Sequence, residues 1–112
     1  MKLKGKRILI TQADAFMGPV LCEVFAEHGT AVVADTRSLA AAEAPAAAVA
    51  AARSLDVLVA NPAFPAPQTE ATAALEQEWR DPFAALVDPL PRLAAARSWS
   101  WAAHRLCGAA GA

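Results

Sequence analysis

The stretch Arg7-Ile8-Leu9-Ile10-Thr11-Gln12-Ala13-Asp14-Ala15-Phe16-Met17-Gly18 decides the fold. It opens with a short apolar run and passes through a turn to Gly18-Pro19, where a helical pattern begins. A run apolar on consecutive residues suits a strand buried on both faces, as in a parallel sheet. A buried strand turning sharply into a helix is the front end of a nucleotide-binding α/β unit, because a helix N-terminus presents free N–H groups and a positive dipole end.

Working outward, helix 1 is predicted from about Pro19 to His28. Proline suits its first turn, and Leu21, Val24, Phe25 and His28 recur at helical spacing. Gly29 is the expected stop. His28 in the last turn reads as a dipole partner rather than a catalytic group. Strand 2 is expected at Thr30–Ala34, closed by Asp35. The alanine-rich stretch that follows predicts a helix ending near Arg53, with Pro45 in its first turn. Strand 3 is expected at Asp56–Ala60, followed by a proline-rich loop, Asn61–Pro67. A helix is expected over Thr69–Trp79 and a new one from Phe83, with Asp81-Pro82 as cap and first position. Pro89 and Pro91 then read as a break before a short helix from Arg92. The order β-α-β-α-β-α predicts an α/β fold: a truncated Rossmann-like parallel sheet of three strands, order 2-1-3, with helices on both faces.

The 112 residues leave room for one small domain, and the net charge of −1 argues against nucleic acid or an anionic membrane as partner. The apolar fraction of 56% owes much to alanine, which buries little area. No run is long enough to span a membrane and no secretory signal is read at the N-terminus. Cys22 and Cys107 share no metal-ligand spacing and read as reduced thiols of a cytoplasmic protein.

The residues KGKRILIT, Gly18, Asp35 and DVLVAN together resemble the N-terminal part of the short-chain dehydrogenase/reductase superfamily. The resemblance covers residues 1–96. Only residues 36–55 separate Asp35 from Asp56, so one strand–helix pair of the family pattern is missing. The usual Thr-Gly-x-x-x-Gly-x-Gly becomes Thr11-Gln12-Ala13-Asp14-Ala15-Phe16-Met17-Gly18. That is similar to the halohydrin dehalogenase branch, whose fingerprint is Thr, four residues, Phe or Tyr, one residue, Gly. Such enzymes close a vicinal haloalcohol to an epoxide, releasing halide, and carry out no hydride transfer. The resemblance implies that Thr11, Gly18, Asp35 and Asn61 are vestigial cofactor-binding positions, and that Phe16 and Phe64 line a substrate or halide pocket. It implies no cofactor in the dehalogenase reading, and NAD rather than NADP in an oxidoreductase reading, since an acid such as Asp35 holds a ribose hydroxyl. Each residue also has a plain alternative: Asp35 as a solvated acid at a strand end, Phe16 as a core residue, Gly18 as a steric necessity, Asn61 as a loop-shaping side chain. Asp56 reads as a cap at the start of strand 3. The family asparagine expected after Trp79 is Leu86 here.

The family's serine, tyrosine and lysine or arginine would lie downstream, and the chain contains no tyrosine. Expected instead is an atypical tail, 97–112, rich in Trp and Arg. Read one base out of frame, Trp99-Ser100 forces a valine and Trp101-Ala102 a glycine, within an apolar stretch leading to serine-permitting positions. A frameshifted or truncated relative is the expectation, with a non-catalytic Rossmann-like binding module as the alternative from another class. The sequence further predicts marginal stability, self-association through an open strand 3 edge, and exposed Trp99 and Trp101. A small molecule is the expected partner class.

Overall fold

The computed structural model describes residues 2–65, 70 and 72–97. The tail beyond 97, with Trp99, Trp101 and Cys107, lies outside the described residues, as does Thr69, where the sequence places a helix start.

Three parallel strands, β1 (Arg7–Ile10), β2 (Ala31–Ala34) and β3 (Val57–Val59), form one sheet in the order β2-β1-β3. Leu9 is in register with Val33 on one side and Leu58 on the other. Ile8, Leu9 and Ile10 are wholly buried, as the consecutive apolar run requires. Alternate residues face opposite sides of a strand, so β1 supplies two cores. Leu9 packs with Leu39, Ala48, Val49, Ala52 and Leu93 on one face. Ile8 and Ile10 pack with Ala13 on the other, against Leu21, Cys22 and Phe25 of the first helix.

That helix, α1 (Gly18–Glu27), has Pro19 in its first turn and ends at His28. Gly29, at φ 76°, donates to the Ala26 carbonyl, and Thr30 N–H to the Phe25 carbonyl. This pair of bonds is the Schellman stop that a left-handed glycine permits. The buried side of α1 is carried by Leu21, Cys22 and Phe25; Val24 is exposed, and His28 Nδ1 sits against the Val24 carbonyl at 3.0 Å. Leu21 and Phe25 therefore lie on the buried side as expected, with Cys22 beside them in place of Val24 and His28. The alanine-rich helix, α2 (Ala44–Ala52), buries Pro45, Ala48, Val49 and Ala52. Asp56 ties the start of β3 to β1: its carboxylate accepts from the Arg7 amide at 2.8 Å, and Arg97 donates to its carbonyl.

The C-terminal part departs from expectation. Residues 72–75 are not helical, and α3 begins at Glu76 (Glu76–Pro82). It does not stop at Asp81-Pro82. The helical backbone continues through a wide π-turn, Phe83–Val87, into α4 over 89–97. Pro82 is interior to this path and not its start. Pro89 and Pro91 fall in the first turn of α4, where an amide donor is not needed, so they do not break it. The Asp88 N–H bonds the Phe83 carbonyl at 2.9 Å, the i→i+5 link of the wide turn.

Candidate functional site

In an open parallel sheet, ligands bind beyond the carboxyl ends of the strands where the strand order reverses. With order β2-β1-β3 that point lies between β1 and β3. Both loops leaving these strands are tied together there.

Thr11 is fully buried. Its N–H donates to the Val59 carbonyl at 3.2 Å, and its Oγ1 accepts the Asn61 N–H at 3.0 Å. Asn61, 5% exposed, sends Nδ2 to the carbonyls of Gln12 and Ala15 at 3.0 and 2.9 Å. Gln12 faces the opposite loop: its Oε1 accepts from Ala63 N–H at 3.0 Å and its Nε2 donates to Ala63 O at 3.2 Å. The amide side chain thus pairs with both backbone polar groups of one residue, as a neighbouring strand would. Nothing in the residue spacing marked this role for Gln12; the only signal was a long amide where a glycine is usual.

Gln12 and Phe16 both have positive φ, 43° and 51°. These are two of the three positions at which the motif it resembles has glycine, the third being Gly18. The turn has kept a left-handed backbone that glycine would adopt without strain, at a cost of about 1–2 kcal/mol for each side-chain-bearing residue. Gly18, between Met17 and Pro19, is buried for a different reason. A Cβ there would lie 2.7 Å from Ala13 Cα and 2.5 Å from its carbonyl carbon, and closer still to the oxygen. The helix start and the turn touch backbone to backbone.

Phe16 is 80% exposed and does not join either core. Its ring lines a cleft of about 510 Å³ together with Gln12, Ala15, Ala63, Phe64 and Leu86. Among the described residues no charged side chain lines this cleft, and the Gln12 amide is already paired. The structure therefore brings Phe16, Phe64 and Leu86 together. Thr11 and Asn61 lie beneath them as ties between loops. Asp35 stands apart at the end of β2: its backbone joins Ile10 and Ala13, and its carboxylate is held by Arg37 Nε at 3.0 Å to both oxygens. The Asp35 carboxylate is therefore occupied by Arg37.

Among the described residues there is no cluster of acids, histidines and cysteines able to hold a metal ion, and no helix is long and apolar enough to cross a membrane. Cys22 is half-buried and unpaired. No protein-family model matches the chain, and no curated protein matches it significantly.

Proposed function

We propose that this chain is the N-terminal part of a cytoplasmic short-chain dehydrogenase/reductase relative, nearest the halohydrin dehalogenase branch, and catalytically inactive as it stands. The observation that carries the reading is the exposed Phe16 ring, held on a left-handed backbone over the β1/β3 crevice, facing Phe64 and Leu86. A glycine there would leave the crevice open to a flat cofactor ring. A phenyl group occupies that space and offers an apolar wall to a small neutral molecule instead. Haloalcohols and epoxides are such molecules, and no charged side chain among the described residues would oppose them.

The chemistry of such enzymes needs a proton-transferring tyrosine with a lowered pKa beside a cation. The 112 residues hold no tyrosine, so the chain binds without turning over. No cofactor is required, and the partner is a small molecule. A second reading, an NAD-dependent oxidoreductase parent, is favoured by Asp35 at the end of β2; it requires Arg37 to release the carboxylate.

Two measurements test the proposal. Calorimetric titration with NAD and NADP should give no useful affinity, and low-micromolar binding of either would overturn it. Sequencing the coding DNA beyond codon 96 should reveal, in a shifted frame, a Ser–Tyr–Arg set. A Ser–Tyr–Lys set would transfer the reading to the oxidoreductase, and the absence of either in every frame would refute the family assignment.

A further inference from the structure

The end of the sheet opposite the cleft has a chemistry of its own. The three parallel strands begin there, and the helices that cross back between them end there. Lys2, Lys4 and Lys6 precede β1, Arg7 opens it, Arg53 follows α2 and Arg97 closes α4. The acids of this end are Glu27, at the end of α1, and Asp56, before β3. Six cations against two acids give it a charge of +4, so the net −1 of the chain leaves −5 for everything else. A net charge near zero therefore hides a segregated one. At physiological salt a charge is felt over about 8 Å. A surface that meets this end senses its cations and not the acids of the rest.

These cations are held in place. Lys4 and Gly5 form the corner of a tight turn: the Lys6 N–H donates to the Leu3 carbonyl at 2.9 Å, and Gly5 has the φ of 79° that the third position of such a turn requires. The turn is fastened to the end of α1, because the Gly5 N–H donates to the Gly29 carbonyl at 3.0 Å and the Lys4 stem lies against Gly29. Arg7 Nε donates to the Ala52 carbonyl at 2.9 Å, and Arg97 to the Asp56 carbonyl at 3.0 Å. Arg53 is exposed on a backbone of φ 64° and ψ −132°, which glycine adopts freely and a residue with a side chain adopts under strain. Among the described residues the ion pairs are Arg37–Asp35 and Arg80–Glu76, so none of the six cations is engaged in one. A helix dipole accounts for Arg53 and Arg97 at the ends of α2 and α4. Three lysines on and beside the turn before β1 exceed what it asks for.

The kind of partner follows from the shape and the apolar content of this end. Its leucines, Leu3 and Leu55, are half-buried, and the exposed aromatic rings of the described residues, Phe16, Phe64, Trp79 and Phe83, lie elsewhere. Single-stranded nucleic acids are held by aromatic stacking, and duplexes are read by a helix or strand pair set into a groove. Strand starts and helix ends lying side by side make a broad face instead, which suits a broad anionic one. We infer that the amino-terminal end of the sheet docks on an anionic lipid bilayer, with headgroup phosphates and carboxylates against Lys2, Lys4, Lys6 and Arg53 and no side chain entering the hydrocarbon. The cleft, at the carboxyl ends of the strands, then faces away from the bilayer. The inference is independent of the family reading. Each cation near an anionic leaflet contributes about fivefold, so the docking is weak, reversible and sensitive to salt.

Co-sedimentation of the full chain with vesicles tests it. The vesicles are phosphatidylcholine alone, or with about one third phosphatidylserine, at about 0.05 and 0.5 M salt. The chain should partition onto the anionic vesicles at low salt, and onto neither kind at high salt. Lys4→Gln should lower the partition coefficient about fivefold, and Lys2→Gln, Lys4→Gln and Lys6→Gln together about 100-fold. Arg92→Gln, an exposed cation away from this end, changes the net charge as much as Lys4→Gln and should leave partitioning unchanged. Arg53→Gly should lower partitioning about fivefold while raising the melting temperature, since it removes the strain with the cation. No partitioning at low salt would overturn the inference, as would equal partitioning onto neutral vesicles. So would an Arg92→Gln loss equal to that of Lys4→Gln, or partitioning indifferent to Lys4→Gln and Arg53→Gly. Tighter binding to a uridine homopolymer than to the anionic vesicles at the same salt would assign the face to nucleic acid and overturn it too.

Discussion

Replacing Gly18 with alanine gives a direct measure of how the first turn is built. The added Cβ would lie 2.5 Å from the Ala13 carbonyl carbon and 2.7 Å from its Cα. Carbon atoms in contact rest at about 3.5–4.0 Å, so something must move by about 1 Å. What it meets is backbone, and that backbone is pinned: Ala13 N–H is bonded to the Asp35 carbonyl and Gly18 N–H to the Ala15 carbonyl. Forced overpacking of this kind costs about 1–3 kcal/mol. Alanine returns up to about 1 kcal/mol through helix propensity and a stiffer unfolded chain, less at a first helical position. The net loss is about 1–2 kcal/mol. At about 4–8 °C per kcal/mol for a domain of this size, the melting temperature should fall by about 5–15 °C. A thermal melt followed by circular dichroism measures this. An unchanged or raised Tm would refute the reasoning, and would mean that Gly18 is kept for ligand clearance rather than for packing.

Other substitutions carry different signs. Asn61→Ala strands the Gln12 and Ala15 carbonyls beneath the cleft and should cost about 1–3 kcal/mol in chemical denaturation; no change in midpoint would show that water replaces the amide. Phe16→Gly removes an exposed ring from a positive φ and should raise stability by about 1 kcal/mol, the reverse of a core truncation, with a lowered midpoint counting against it. Phe16→Gly with Gln12→Gly should increase affinity for NAD more than for NADP, since Asp35 repels a 2′-phosphate; calorimetry with both would expose the opposite order. Pro82→Ala restores a donor for the Glu78 carbonyl inside α3 and should raise helical content and Tm; a fall in either would mean that the proline sets the wide turn.

The strands were legible because nothing competes with a consecutive apolar run as a buried parallel strand. Ile8-Leu9-Ile10 and Val57-Leu58-Val59 lie where they were expected, and so does the order β2-β1-β3. Helix α1 was bracketed by Gly18-Pro19 and Gly29, and of its expected buried face Leu21 and Phe25 hold while Val24 and His28 are exposed. The C-terminal helices differ from expectation because Pro82 reads as a helix start and Pro89 and Pro91 as a break, and none of the three acts so. A proline forbids only one donor and crowds one turn; where a π-turn intervenes or the first turn needs no donor, the backbone continues. At the site, Phe16 and Gln12 were noticed as departures from glycine, but only as lost room. The other half of what glycine supplies, a positive φ, was retained by both residues. Gln12's pairing with Ala63 depends on a residue 51 positions away, which no local pattern encodes.

The ties from Asn61 to the β1 turn have a consequence for assembly in time. The side-chain bonds that fix the cleft all join the first loop to the segment after β3. An intermediate in which β1, α1 and β2 have come together has no cleft, however complete its hydrophobic contacts. The cleft comes into being only when β3 docks, the pairing with the longest intervening chain and the slowest to close. Whatever occupies it binds the finished sheet alone and so raises the melting point by mass action. A small molecule bound there would act as a latch on the last strand to arrive, with its effect read most sharply in the unfolding rate of β3.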